Sequence, residues 1–129
     1  MANPYQAYKQ QSVINASPGQ LIIMLYNGCM KFIKLAEKSI EQKDFQGANN
    51  AIQRAQDIVE ELMSGLDMQY DISNNFLSLY EYMDRRLVEA NIKKDKTILK
   101  EVYNLIAQLR DTWVEVVKIN GTPSRSKGV

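Results

Sequence analysis

Six consecutive apolar side chains, Leu21 through Tyr26, open the longest amphipathic stretch of the chain. A helix with one buried side needs about three apolar positions in seven. This stretch fills every position. Either the helix is sandwiched between two layers, or one of its faces is kept for a partner. A chain of 129 residues leaves little room for sandwiching, so the pattern favours the partner.

The same periodicity predicts four long helices. Ser17-Pro18-Gly19-Gln20 reads as a capping box with proline at the first helical position. The helix it opens should run to about Lys43. Its inner stripe is Ile22, Leu25, Cys29, Phe32, Ala36 and Ile40, and a second stripe follows Ile23, Tyr26, Met30 and Ile33. Asp44 caps the second helix, where Ala48, Ile52, Ala55, Val59, Leu62 and Leu66 form a single heptad seam. That helix reads as a bundle member with one buried side. Ser73 is the expected cap of the third helix, with Ile72 and Leu77 as a hydrophobic staple. Its inner stripe is Phe76, Tyr80, Met83, Leu87 and Ala90, leaving Leu77, Leu79, Tyr82 and Val88 over.

A polar corner at 91–94 leads to Asp95, which caps the fourth helix. Ile98, Val102, Leu105, Leu109, Trp113 and Val116 face inward there, and Tyr103, Ile106, Val114 and Val117 are surplus. Gly121 and Pro123 stop it. Short connections between four such helices predict an all-α, antiparallel up-down-up-down four-helix bundle over 17–121. Residues 1–16 form a leader. Asn3 and Pro4 start a short helix bearing Tyr5 and Tyr8, which is marginal alone in water and must dock or stay loose. The expectation is that the leader caps a binding groove. Residues 122–129 read as a flexible tail.

Composition changes this picture by exclusion. There is no histidine, so there is no Ser-His or Cys-His nucleophile pair, no Glu-x-x-His di-metal motif and no phosphorylatable histidine. The glycines form no phosphate loop. Glu60, Glu61 and Glu81 give no paired-acid geometry. The reading is therefore not an enzyme, with no cofactor and no metal. A net charge of +1 argues against nucleic acid as a partner. No apolar run spans a bilayer, no secretory signal precedes the domain, and the single Cys29 reads as an inert core thiol. Together these suggest a cytoplasmic address.

The seven tyrosines suit a surface that buries a ring and keeps a hydroxyl wet. Arg85, Arg86, Lys93, Lys94 and Lys96 read either as a solvated helix end or as a dock for an acidic partner. Asn27 and Asn91, beside apolar stripes, either bond a partner's backbone or cap local carbonyls. The candidate partner-binding set is Tyr5, Tyr8, Ile22, Ile23, Tyr26, Asn27, Met30, Ile33, Leu79, Tyr82, Arg86, Asn91, Tyr103, Ile106 and Val114.

Several blocks resemble one family. Asn3-Pro4-Tyr5-Gln6-Ala7-Tyr8, Ala16-Ser17-Pro18-Gly19-Gln20-Leu21 and Met24-Leu25-Tyr26-Asn27-Gly28 are similar to the opening of the flagellin-specific export chaperones, the FliS family. The run from Tyr80 to Leu87, with Ala90-Asn91 and then Arg110-Asp111-Thr112-Trp113, resembles its later motifs. The likeness covers about residues 3–117. It implies a helical bundle that binds the C-terminal segment of flagellin, prevents premature polymerisation and delivers it to an export-gate component. A second flagellar assembly regulator is a further implied partner. Surplus apolar stripes fit helix-in-groove docking. The competing reading is a structural or regulatory homodimer, in its weakest form a weak self-association, that uses the same stripes.

Overall fold

The computed structural model describes residues 18–120. The leader with Tyr5 and Tyr8, the Ser17 cap, Gly121 and the tail lie outside the described residues. Four helices carry the fold: α1 (Pro18–Glu41), α2 (Phe45–Ser64), α3 (Asp71–Lys93) and α4 (Lys96–Asn120). The described residues contain no strand.

Two of the three corners repeat one device. Lys43 and Lys94 adopt left-handed backbone, with φ of 59° and 50°. After each, an aspartate amide reaches back across the helix end, Asp44 to the Ser39 carbonyl at 2.8 Å and Asp95 to the Ala90 carbonyl at 3.1 Å. This is the Schellman closure, made here with lysine where glycine is usual. The same aspartates open the next helices. Asp44 Oδ1 accepts from the Gly47 amide at 2.9 Å, and Asp95 Oδ1 from the Thr97 amide at 2.8 Å.

The third corner departs from expectation. The helix begins at Asp71, not after Ser73, and its N-cap Tyr70 makes no side-chain cap bond. Ser73 is buried inside the first turn, and its Oγ donates to the Asp67 carbonyl at 2.6 Å. It therefore ties the preceding connection down instead of starting the helix.

Each helix packs against its chain neighbours, and α1 closes the ring against α4. Cross-helix pairs give the direction. Glu41–Lys96, Glu37–Lys100 and Asn27–Arg110 descend α1 while ascending α4. Asn49–Asn91 and Gln56–Asp84 do the same between α2 and α3. These pairs are antiparallel, and the short corners supply the remaining reversals. The centre is filled by Ile33, Ile52, Val59, Met83, Leu87, Leu99 and Val102, all essentially without solvent exposure.

The ring corrects the reading of the doubled stripe. Tyr26 and Ile33 are fully buried and Met30 is nearly so, and on α4 Ile106 is fully buried. They are core positions, not an open surface. The physical reason is that α1 lies between α2 and α4. A helix with two flanking neighbours must be apolar on two stripes. Helix α2 follows the same rule, since Ala51 and Ile58 are buried beside its main seam. Its second stripe is built partly of alanine, which does not stand out as an apolar surplus. Leu66, assigned to that seam, lies past the helix in the connection and packs on the core from there.

Candidate docking cleft

The candidate residues that remain outside the core fall in four separate places. Ile23, Asn27, Tyr103 and Val114 lie along the seam of α1 and α4. Asn27 Oδ1 accepts from Arg110 Nη1 at 3.0 Å. Carrying that antiparallel register one turn further sets half-buried Ile23 across from half-buried Val114. The Tyr103 ring lies beneath Lys34 Nζ, 4.5 Å from its centroid. Farther along, the seam is charged, because nearly buried Glu37 bonds Lys100 at 3.1 Å.

Leu79, Tyr82 and Arg86 occupy the flank of α3 that meets α4. Tyr82 donates its hydroxyl to Glu101, and Arg86 bonds Glu101 through Nε at 2.8 Å and Glu89 through Nη1. The Glu101 bond is the main cause that raises the Tyr82 phenol above its ordinary range. The same hydroxyl and guanidinium hold the Glu101 carboxyl below its own. Asn91 sits at the opposite end of the bundle, where its Nδ2 donates to Asn49 Oδ1 at 2.8 Å. The basic cluster is divided among partners. Arg86 and Lys93 pair with Glu89, Lys96 with Glu41, and Lys94 bonds Asn91. Arg85 lies over the Tyr82 ring. These cations are engaged with their own helices and with adjoining ones, not gathered in a bare basic patch.

Ile22 belongs elsewhere, in an apolar cleft of about 420 Å³. Four elements converge on it. The start of α1 supplies Pro18, Leu21, Ile22 and Leu25, and the end of α2 supplies Glu61, Leu62 and Ser64. Gly65 and Leu66 follow in the connection. Helix α3 supplies Ile72, Ser73, Phe76 and Tyr80, and α4 supplies Trp113. The volume lies in the range of specific binding pockets, and the lining is mostly aliphatic and aromatic with few polar groups.

The fold makes this cleft by ending its helices unevenly. The connection 65–70 is the longest of the three. Leu66 folds inward, while Met68, Tyr70 and Ile72 keep 48%, 40% and 57% of their surface exposed. Tyr26 and Tyr80 tie the floor together with a 2.6 Å hydroxyl–hydroxyl bond. Burial raises both phenols above their ordinary range. The Phe76 and Tyr80 rings stack at 6.1 Å.

Sequence reasoning named Ile22 but missed the rest of the lining as a site. Phe76, Tyr80 and Trp113 share the bundle's inward stripes, so periodicity assigns them to the core. A signal was present in the connection itself. Leu66, Met68 and Tyr70 are apolar at alternate positions across the connection, and Ile72 continues the alternation into the first turn of α3, where a solvated corner would be polar.

Among the described residues there is no group of His, Cys, Asp or Glu able to hold a metal ion. No helix there is long and apolar enough to cross a membrane.

The family model described as "Flagellar protein FliS" matches residues 1–120. The chain is 45% identical over 116 residues to the flagellar secretion chaperone FliS of Bacillus subtilis, covering 90% of this chain and 87% of that one. It is 34% identical over 122 residues to the protein of the same name from Salmonella typhimurium, at 89% and 90% coverage. With the flagellar secretion chaperone FliSB of Pseudomonas aeruginosa it shares 31% identity over 106 residues, at 81% and 84% coverage.

Proposed function

The chain belongs to the FliS family, and from that premise we propose that its apolar cleft receives the C-terminal helical segment of flagellin. It is a flagellar secretion chaperone, of a family of chaperones and not of enzymes. The observation that carries the finer reading is the cleft, a preformed apolar recess of about 420 Å³ at one end of a well-packed bundle. An export substrate has to stay unfolded, and its apolar termini would otherwise associate with one another. A recess that accepts large side chains from such a segment shields them. The bundle around it changes little, and the ligand bears the ordering cost. By the same role the complex is handed to an export-gate component, in the cytoplasm, and filament assembly is prevented until export.

Titration of the purified chain with a peptide of the flagellin C-terminal segment tests this by calorimetry. Saturable binding with a negative heat-capacity change is expected, because apolar surface leaves water. A folded chain that gives no heat and no peptide shift at high micromolar concentration would sink the reading. Solution mass, measured in parallel, separates it from a homodimer that occupies its own cleft.

The leader enters as a competitor for the same place. Residue 17 joins the described chain at Pro18, which itself lines the cleft. We infer that Tyr5 and Tyr8, on a segment too short to be a stable helix alone, cover part of the recess until flagellin displaces them. Deleting residues 1–16 is then expected to tighten peptide binding several-fold and to increase binding of an apolar dye. Unchanged affinity and unchanged dye signal would remove the leader from the mechanism. Weakened binding would show that it contacts the ligand.

A further inference from the structure

We propose that the Tyr80 hydroxyl is the directional anchor of the cleft, donating its proton to an oxygen of the bound flagellin segment. The inference rests on the reading of the cleft as flagellin's docking place. It comes from an account of protons. Tyr26 is fully buried, and the structure gives its hydroxyl one acceptor, Tyr80 Oη at 2.6 Å. A tyrosine carries one donor. If Tyr80 donated to Tyr26, the Tyr26 proton would be stranded in the core, at the cost of a buried unpaired donor. Tyr26 does not line the cleft and Tyr80 does, so Tyr26 is assigned as the donor to Tyr80. The proton of Tyr80 is then left over, and it has no acceptor among the described residues. Tyr80 lines the cleft.

The serine hydroxyls around the recess are occupied. Ser73 Oγ donates to the Asp67 carbonyl and Ser64 Oγ to the Glu61 carbonyl. In a mostly apolar lining, a donor held by the buried Tyr26–Tyr80 pair of α1 and α3 sets the depth and register of whatever enters. It is a positioning group. Apolar contacts give most of the affinity, and the hydroxyl selects the sequence offset at which an oxygen comes within reach.

Calorimetry with the flagellin C-terminal peptide on the full chain tests this through two variants. Tyr80→Phe removes the donor and is expected to weaken peptide binding about five- to tenfold. Tyr26→Phe breaks the same buried pair yet leaves the Tyr80 donor in place, so its affinity is expected to stay within about twofold. Both variants should lower the thermal midpoint, so a merely structural role for the pair would give them the same affinity. Equal affinities for the two variants, or a Tyr80→Phe affinity within twofold of wild type, overturn the proposal and leave the docking function standing. A wild-type chain that binds no peptide overturns both. If Tyr80→Phe alone does not fold, Tyr26→Phe/Tyr80→Phe strands no hydroxyl proton and replaces it. Binding about five- to tenfold weaker than that of Tyr26→Phe then supports the anchor, and binding equal to it overturns the proposal.

Discussion

Tyr26→Asp is expected to unfold the chain, not simply to abolish partner binding. The stripe pattern alone would place Tyr26 on a docking face, where a carboxylate blocks a ligand and leaves the helices intact. The structure reverses this. Tyr26 has no solvent exposure and its ring fills the middle of α1's buried face. Removing a buried aromatic costs about 3–5 kcal/mol through lost burial and a residual cavity. A carboxylate without a buried partner adds a further cost of similar size. The substitution also breaks the buried Tyr26–Tyr80 hydroxyl pair. The total, about 6–10 kcal/mol, is comparable with the roughly 5–15 kcal/mol by which domains are stable. Far-UV circular dichroism should show loss of most helical signal and no cooperative melting. A variant that stays helical with a midpoint near wild type would mean that the start of α1 can rotate Tyr26 outward, which would restore it as a surface residue.

The case of Tyr26 shows what periodicity reports and what it leaves out. Helix existence and two of the three corners were legible, because aspartate caps and polar breaks act locally, while the cap expected at Ser73 did not form. Asp44 and Asp95 cap where the chain's own pattern puts them. The count of apolar stripes was legible as well. The number of neighbours that each helix would meet was not, since that is a property of the closed ring. Helix α2 served as the standard for a member helix, and its alanines hid its second stripe. Ala51 closes against neighbours without adding to an apolar count. Set against that standard, Met30, Ile33 and Ile106 looked superfluous, and the ring consumed them.

The cleft was illegible for the complementary reason. Phe76, Tyr80 and Trp113 obey the inward rule, and only the uneven ends of the helices turn part of their surface into a recess. Polar candidates have partners that the pattern did not show. Tyr82 and Arg86 have an exposed character in sequence, yet each finds Glu101 on the adjoining helix. A pairing of that kind depends on register across two helices and leaves no trace in either one alone. The resemblance to a family carried the function further than the residue pattern did, because its blocks fall on α1, α3 and α4, three of the elements that build the cleft, although α2 shows least of it.

Ile72→Asp is expected to abolish flagellin docking while the fold persists. Ile72 lines the cleft and keeps 57% of its surface exposed, so little burial is lost in the free chain. It is the second residue of α3, where a carboxylate meets the positive end of the helix dipole and gains about 0.3–1 kcal/mol. The two effects nearly cancel, and the thermal midpoint should move by only a few degrees. In the complex they do not cancel. The apolar contact that Ile72 makes with a seated segment disappears, and the new carboxylate must be dehydrated against an apolar ligand, at several kcal/mol for a buried charge. Peptide affinity should fall by about a hundredfold or more, with each factor of ten corresponding to about 1.4 kcal/mol. Because the leader is read as occupying the same recess, the fall should be largest in the chain lacking residues 1–16, where no competitor is weakened alongside the ligand. Val88→Asp supplies the comparison. Val88 is 41% exposed on α3 but lies outside the cleft, so the same change of charge there should alter affinity less than twofold. If Val88→Asp abolished binding and Ile72→Asp did not, flagellin would be held on the outer face of α3, and the recess at the bundle's end would have to serve some other occupant.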